Sequence, residues 1–226
     1  MIVFGSSMSP YVRKVLAFAA EKGIEVESRR VAPGTDDPDF RAASPLGRIP
    51  ALQDGDFRIS DSSAIIAYLD ALQPDPVLIP STPQARARTI WFEEFADVEL
   101  FAGPGRAMFR NRIVLPYLVE TPGDLAAADK AQAEDLPRLL DYLEGEMTAG
   151  GFLVEDRLTL ADIAIASVLA NLLHAGETID RWPKVKEFAE RMHARPSFAS
   201  WIEQERAFIE RRKAGASGKY SHSAST

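Results

Sequence analysis

Chemistry in this chain could start at a serine placed just before a proline, at the head of an amphipathic run. Ser9 precedes Pro10, and Val12, Val15, Leu16 and Ala19 follow at helical spacing. That pattern predicts a helix with Ser9 at its N-cap and Pro10 in its first turn. Unpaired N–H groups and the helix dipole favour an anion there, and the serine hydroxyl can donate one more hydrogen bond. A thiolate suits such a place, because the thiolate and not the thiol is the nucleophile. Lowering a thiol pKa by about two units corresponds to roughly 2.7 kcal/mol in favour of the charged form. Taken alone, a Ser-Pro pair is as readily a plain cap.

Further along the chain lie motifs with complementary chemistry. Gly47-Arg48-Ile49-Pro50 precedes a strand, and proline fits a strand only at its first residue or its edge. A cis Ile49–Pro50 bond would turn the Ile49 backbone outward, free to pair with an extended peptide; a trans bond at a strand start is the plainer reading. Asp61-Ser62-Ser63-Ala64-Ile65 opens another helix. Its N–H groups and the Ser62 hydroxyl can hold a carboxylate while Asp61 pairs an ammonium, the two charges an amino-acid end presents. Simple capping explains the same residues. Thr159-Leu160-Ala161-Asp162 has the form of a capping box, with Leu158 and Ile163 as its staple, and its role is structural.

The elements that must position these residues divide the chain in two. Ile2-Val3-Phe4 reads as a strand, the Ser9 helix ends at Gly23, and Glu25–Val31 reads as a second strand, giving a βαβ unit. A short helix over Asp37–Ala43 follows, then a hairpin with Asp54-Gly55 at its turn. Pro74, Pro76, Pro80 and Pro83 stop both helix and strand, so this stretch reads as a linker. Everything beyond is helical in pattern. The expected helices are Gln84–Phe101 closed by Gly103-Pro104-Gly105, a stretch ended by Pro116, Asp124–Met147, an apolar Leu160–Leu173, and two opened by Pro183 and Pro196. From Lys213 to Thr226 periodicity is lost, and disorder is expected.

Composition removes several function classes. The 226 residues include no Cys and only three His, which excludes disulfide frameworks, thiolate zinc sites and a cysteine nucleophile, and disfavours a histidine metal cluster. No metal is expected. A formal charge of −7 disfavours nucleic-acid binding. The apolar start is too short for a signal peptide, and no window approaches the ~18 apolar residues of a membrane span, so a cytoplasmic protein is expected.

In order and spacing, Ser9-Pro10-Tyr11-Val12-Arg13-Lys14-Val15, Ser44-Pro45-Leu46-Gly47-Arg48-Ile49-Pro50, Asp61-Ser62-Ser63-Ala64-Ile65 and Leu158-Thr159-Leu160-Ala161-Asp162-Ile163 carry a resemblance. The chain resembles the cytosolic glutathione transferases up to Arg212, as a bacterial, serine-type member of unassigned class. The resemblance implies an α/β plus all-α architecture: a thioredoxin-like, glutathione-binding domain over 1–76, a linker over 77–83, an all-helical domain over 84–212 and a disordered tail over 213–226. It implies a homodimer, cytoplasmic and detoxifying, with glutathione as cosubstrate. Ser9 matches the thiol-activating position. Ile49 matches the residue before the cis-proline, Pro50, and pairs with the cysteinyl part. Asp61 and Ser62 match the acidic-Ser pair that holds the γ-glutamyl end, and Arg48 stands near the glycine carboxylate.

Departures from the family pattern narrow the chemistry. With neither Cys nor Tyr at the activating position, cysteine-dependent classes are disfavoured, and Tyr11 is expected to point elsewhere. Asp61 is one methylene shorter than the commoner Glu, so a water could bridge it to the ammonium. The electrophile pocket is expected between the domains, from Ser7 and Met8 and from Phe101, Arg106, Met108, Phe109 and Arg110, with core packing an equal reading for the apolar ones. Arg106 and Arg110 favour an anionic cosubstrate or are merely solvated. The charged residues from Glu203 to Lys213, Glu205 included, read as a solvated helix face, His174 as structural and His193 as surface. Alternatives to a transferase are a zeta-like isomerase, a disulfide reductase using bound glutathione, and a non-catalytic binding protein of this fold.

Overall fold

A computed structural model describes residues 1–32 and 34–221, with side chains described to Gly215. Strands β1 (Ile2–Phe4), β2 (Glu27–Arg29), β3 (Ala51–Asp54) and β4 (Phe57–Ser60) form one sheet in the order β2-β1-β3-β4. Helix α1 (Pro10–Glu21) carries the chain from β1 to its parallel neighbour β2. Pairing of β1 with β3 and of β3 with β4 is antiparallel. Helices α2 (Pro38–Ala43) and α3 (Ser62–Leu72) complete a thioredoxin-like domain. Asp54 pairs with Phe57, so the hairpin loop is Gly55-Asp56, one residue later than expected, because its first position has φ +57° and glycine tolerates that. Ordered β2 pairing is shorter than the expected Glu25–Val31.

The rest of the chain is helical. Helix α4 (Pro83–Glu94) starts at a first-turn proline, one residue inside the expected linker. It runs on as π-type turns over Phe95–Gly105 into α5 (Arg106–Phe109), and further π-type turns over Arg110–Val119 end at Glu120 with φ +58°. Gly103-Pro104-Gly105 therefore bends this path without closing it: only Gly103 leaves helical geometry. A Cβ on Gly105 would stand 2.7 Å from Leu100 O, so only glycine permits that bend. Pro116 likewise sits inside the path, where wider turns absorb its missing donor. Helix α6 (Leu125–Lys130) leads through a π-type stretch over Ala131–Asp135 into α7 (Leu136–Glu146), along the span expected as one helix.

Helix α8 (Leu160–His174) is buried almost throughout and packs against α1 and α4, so it forms the centre of the helical domain. Its capping box is made: Asp162 accepts from Thr159 N (2.8 Å) and Thr159 Oγ1 (2.9 Å), and also from Leu153 N (3.0 Å). Helices α9 (Pro183–His193) and α10 (Pro196–Ser221) follow. Helix α10 continues past Lys213, where disorder is expected, because an established helix adds residues without needing an apolar face. Residues 222–226 of that expected tail lie outside the described residues. Among the described residues, no helix is long and apolar enough to cross a membrane.

Between α3 and α4 the proline-rich segment is irregular but pinned. Lys22 Nζ donates to Pro74 O (2.9 Å) and Pro76 O (2.7 Å), Leu160 N donates to Leu78 O (2.9 Å), and Leu78 and Ile79 are buried. Irregular backbone leaves carbonyls unpaired, and these donors satisfy them.

His193 is a structural residue, not a surface one. Its Nε2–H donates to Ala166 O (2.9 Å), and burial, aided by Arg13 and His174, lowers its pKa to about 4. It is neutral in the folded protein and near 6.5 when unfolded, so its contribution is present above pH 6.5 and lost as pH falls toward 4. Folded stability should drop by about 2 kcal/mol at pH 5 relative to pH 7 through this group. Denaturant unfolding of the parent and of His193→Gln at both pH values isolates it. An equal pH slope in the two proteins would refute the assignment.

Candidate active site

Ser9 occupies the N-cap of α1 in extended backbone (φ −79°, ψ 127°), and its hydroxyl makes no capping hydrogen bond. The main chain holds the position instead: Ser9 N donates to Ser6 O and Ser9 O accepts from Arg13 N, each at 2.9 Å. Its hydroxyl is left for a ligand, half-buried on the wall of a cavity of 610 Å³. Gly5 allows the loop to leave β1 this way. Its φ is +142°, and a Cβ there would lie 2.5 Å from Val12 Cγ2.

Ile49 lines the same cavity, and the Ile49–Pro50 bond is cis. Pro50 O accepts from Asp61 N (3.3 Å), which joins the start of β3 to the start of α3. Asp61 has φ +92° and ψ 130°, a conformation costing of order 1–3 kcal/mol outside glycine. Its Oδ1 accepts from Ser63 N (3.0 Å) and Ala64 N (3.1 Å), so one oxygen caps α3 while the exposed carboxylate keeps the other. Ser62 is buried beside it. Arg48 is exposed, and its backbone is clamped by Ser44, whose Oγ donates to Arg48 O (2.7 Å) and accepts from Arg48 N (2.8 Å). Arg48, Pro50, Asp61 and Ser62 are not among the residues lining the cavity; of that group, only Ile49 reaches it.

Beneath the start of α3 lies a buried polar cluster. Ser63 Oγ donates to Glu93 Oε1 (2.7 Å), and Lys14 Nζ bonds both Glu93 (2.9 Å) and Asp97 (2.5 Å). Burial pushes the Asp97 carboxyl up to about 6, against the pull of Lys14. The cluster ties α1 and α3 to the first long helix of the other domain.

Of the residues expected to receive an electrophile, Met8, Phe101, Arg106, Phe109 and Arg110 line the cavity. Met108 is fully buried in the core. Ser7 faces a second cavity, of 520 Å³, between its loop, Ser28 and α10, because neighbours in a tight loop point apart. Ser6 is the other serine on the first cavity.

Known proteins share this arrangement. Residues 3–77 match the model of the glutathione S-transferase N-terminal domain and residues 110–205 that of the C-terminal domain. Glutathione S-transferase 3 of Zea mays is 32% identical over 209 residues, covering 88% of this chain and 92% of the relative. The chain belongs to the glutathione S-transferase family. A glutathione S-transferase structure from Rhodospirillum rubrum superposes with a TM-score of 0.81 at 25% identity, covering 88% of this chain and 90% of that one. Elongation factor 1-gamma of Schizosaccharomyces pombe is 33% identical over 163 residues, 71% of this chain and 38% of that protein.

Against the family pattern, Tyr11 corrects an expectation: it faces the cavity. Its ring meets Phe101 edge-on at 5.4 Å, and its hydroxyl donates to Asp97 O (3.2 Å). Burial and the Asp97 charge raise its pKa, so it remains neutral and its proton is already placed. Residues the sequence reading missed are Arg30–Ala32 after β2, Val114, Leu118 and Val119, and Phe208 and Arg212 of α10. The i,i+4 spacing of Phe208 and Arg212 was the available signal.

Glu205 is also corrected. It is 2% exposed and receives Arg13 Nη2 (2.6 Å) and Nε (3.2 Å), with His174 Nε2 at 3.0 Å. Burial pushes its carboxyl up, but Arg13 and His174 outweigh that and hold it below the usual range. Arg13 Nη1 also donates to Ser167 O (2.5 Å) and Asn171 Oδ1 (2.8 Å), and Asn171 Nδ2 donates to Met8 O (2.9 Å), next to Ser9. Glu205 falls on the same face as Phe198, Ile202 and Ile209, an apolar stripe that marks it as buried. Among the described residues, no group of His, Cys, Asp and Glu is arranged to hold a metal ion.

Proposed function

We propose that the chain is a glutathione transferase in which Ser9 hydrogen-bonds the glutathione thiolate and presents it to a small electrophile in the adjoining cavity. The observation that carries this reading is the Ser9 hydroxyl: it sits at a helix N-terminus, faces the cavity and is not spent on capping. Glutathione would lie extended from Asp61 and Ser62, at its γ-glutamyl end, past Ile49 and Pro50 to Arg48. Ile49 supports the middle of that path, since neither its N–H nor its carbonyl has a partner among the described residues. Catalysis would combine thiolate stabilisation with proximity, and it needs no cysteine of the protein.

A titration calorimeter tests the binding half of this reading: wild-type protein should take up glutathione, and absence of heat would overturn it. Asp61→Asn keeps an oxygen for the α3 cap but removes the charge. Its glutathione Kd should rise about fivefold, a modest factor because Asp61 is exposed and an exposed ion pair contributes at most about 1 kcal/mol. The likeness to elongation factor 1-gamma supports a second, non-catalytic reading, which glutathione binding without turnover of any electrophile would favour.

Two copies would form a homodimer through β4, α3 and α4. Phe57 and Trp91 are 42% and 51% exposed, Leu72 and Ile90 are also exposed, and Phe57 stacks on Tyr68 at 4.6 Å. Apolar residues of this size mark interaction surfaces when they gather on one side. Sedimentation equilibrium should show a dimer whose dissociation constant rises at least tenfold in Phe57→Glu; a monomeric parent would refute the pairing.

A further inference from the structure

We infer that the cavity beside Ser9 takes organic anions: apolar molecules carrying a carboxylate or sulfonate, received by Arg106, Arg110 and Arg30. As a statement about the electrophile this rests on the transferase reading; as a statement about binding it does not.

The protein carries a formal charge of −7, yet no Asp or Glu lines this cavity, whereas four arginines do. One of them, Arg212, is engaged: its Nε donates to Tyr117 O (2.8 Å) and its Nη1 lies 3.5 Å from Glu120. The other three have no carboxylate partner among the described residues. Arg106 and Arg110 stand one helical turn apart on one wall. Across from them, the Arg30 guanidinium lies 5.2 Å from the centre of the Phe208 ring. Asp97, whose charge acts on Tyr11, has its carboxyl bonded to Lys14, and Tyr11 meets its main-chain oxygen. Glu205, on the neighbouring cavity, is bound by Arg13 and His174. Phe101, Phe109, Val114 and Leu118 make the interior apolar. Unpaired guanidinium groups around an apolar interior favour a ligand with an aromatic or aliphatic body and a planar anionic end. A cationic ligand would be repelled, and a neutral one would leave the arginines to water.

A matched pair of electrophiles tests the reaction: 4-chloro-3,5-dinitrobenzoate and neutral 1-chloro-2,4-dinitrobenzene. In each, the glutathione thiolate forms a C–S bond, the C–Cl bond breaks, chloride leaves with the bonding pair, and the thiol proton goes to solvent. The ratio of kcat/KM for the benzoate to that for the neutral compound should fall at least tenfold from wild type to R106Q/R110Q. R106K/R110K should retain most of it. Comparing ratios between proteins cancels the intrinsic reactivities. A ratio within twofold of wild type in R106Q/R110Q overturns the inference. A matched pair of fluorescent dyes, 8-anilinonaphthalene-1-sulfonate and neutral N-phenyl-1-naphthylamine, tests binding without glutathione. The sulfonate should bind more tightly to wild type, with that preference falling at least tenfold in R106Q/R110Q; equal affinities overturn the inference. If neither electrophile is consumed while the dye preference holds, the transferase reading fails and the anion site stands.

Discussion

Ser9→Ala should lower kcat/KM for glutathione conjugation about a hundredfold while leaving glutathione affinity within about threefold. Removing one preorganised donor from a developing or standing anion costs on the order of 10²–10³ in rate. Affinity should survive because most contacts to glutathione would come from Asp61, Ser62, Ile49 and Arg48, none of which touches Ser9. The pH profile distinguishes this from a general loss of structure. A thiol near its unperturbed pKa of about 8.5 is mostly protonated at neutral pH, so the acidic limb of kcat/KM should move up by about one to two units in the variant. An unchanged limb and near-parental activity would sink the assignment. Ser6 would then be the next residue to test, because Ser6 shares the cavity and Ser7 does not.

Glu205→Gln is expected to be the most damaging single change to stability, about 3–5 kcal/mol. Arg13 is fully buried, and Glu205 supplies its only carboxylate partner among the described residues. Removing that charge strands a buried guanidinium, the costly way to break an ion pair; replacing both partners by apolar residues of similar volume is much less harmful. Urea unfolding should show a large fall in midpoint for Glu205→Gln and partial recovery in the double variant Arg13→Met/Glu205→Leu. A change below about 1 kcal/mol in the single variant would refute the role given to the pair. Activity should fall as well. Asn171 bonds both Arg13 and the Met8 carbonyl next to Ser9, and α10 carries Glu205 together with the cavity residues Phe208 and Arg212.

Much of the site was legible because its parts are local. Caps, strand starts and helix starts are decided within a few residues, so Ser9, the Ile49–Pro50 step, Asp61 and the Thr159–Asp162 box could each be placed from short patterns. Where local signals met tertiary demands, the demands won. Gly103-Pro104-Gly105 and Pro116 read as stops, yet packing against α8 kept the path going in wider turns. The proline-rich stretch read as a free linker, yet Lys22 and Leu160 donate to its carbonyls.

By itself the sequence determined the two-domain division, the order of most elements, the absence of a protein thiol and the positions of the caps, because each depends on composition or on neighbours along the chain. Only the tertiary structure decided which side chains share a space. It put Tyr11 on the cavity and Ser7 off it, left the Ser9 hydroxyl free of its own helix, and brought Arg30, Arg106 and Arg110 around one apolar interior. It also buried Glu205 against Arg13, 192 positions away. A charge is solvated or buried according to what folds over it, and no pattern of near neighbours contains that information.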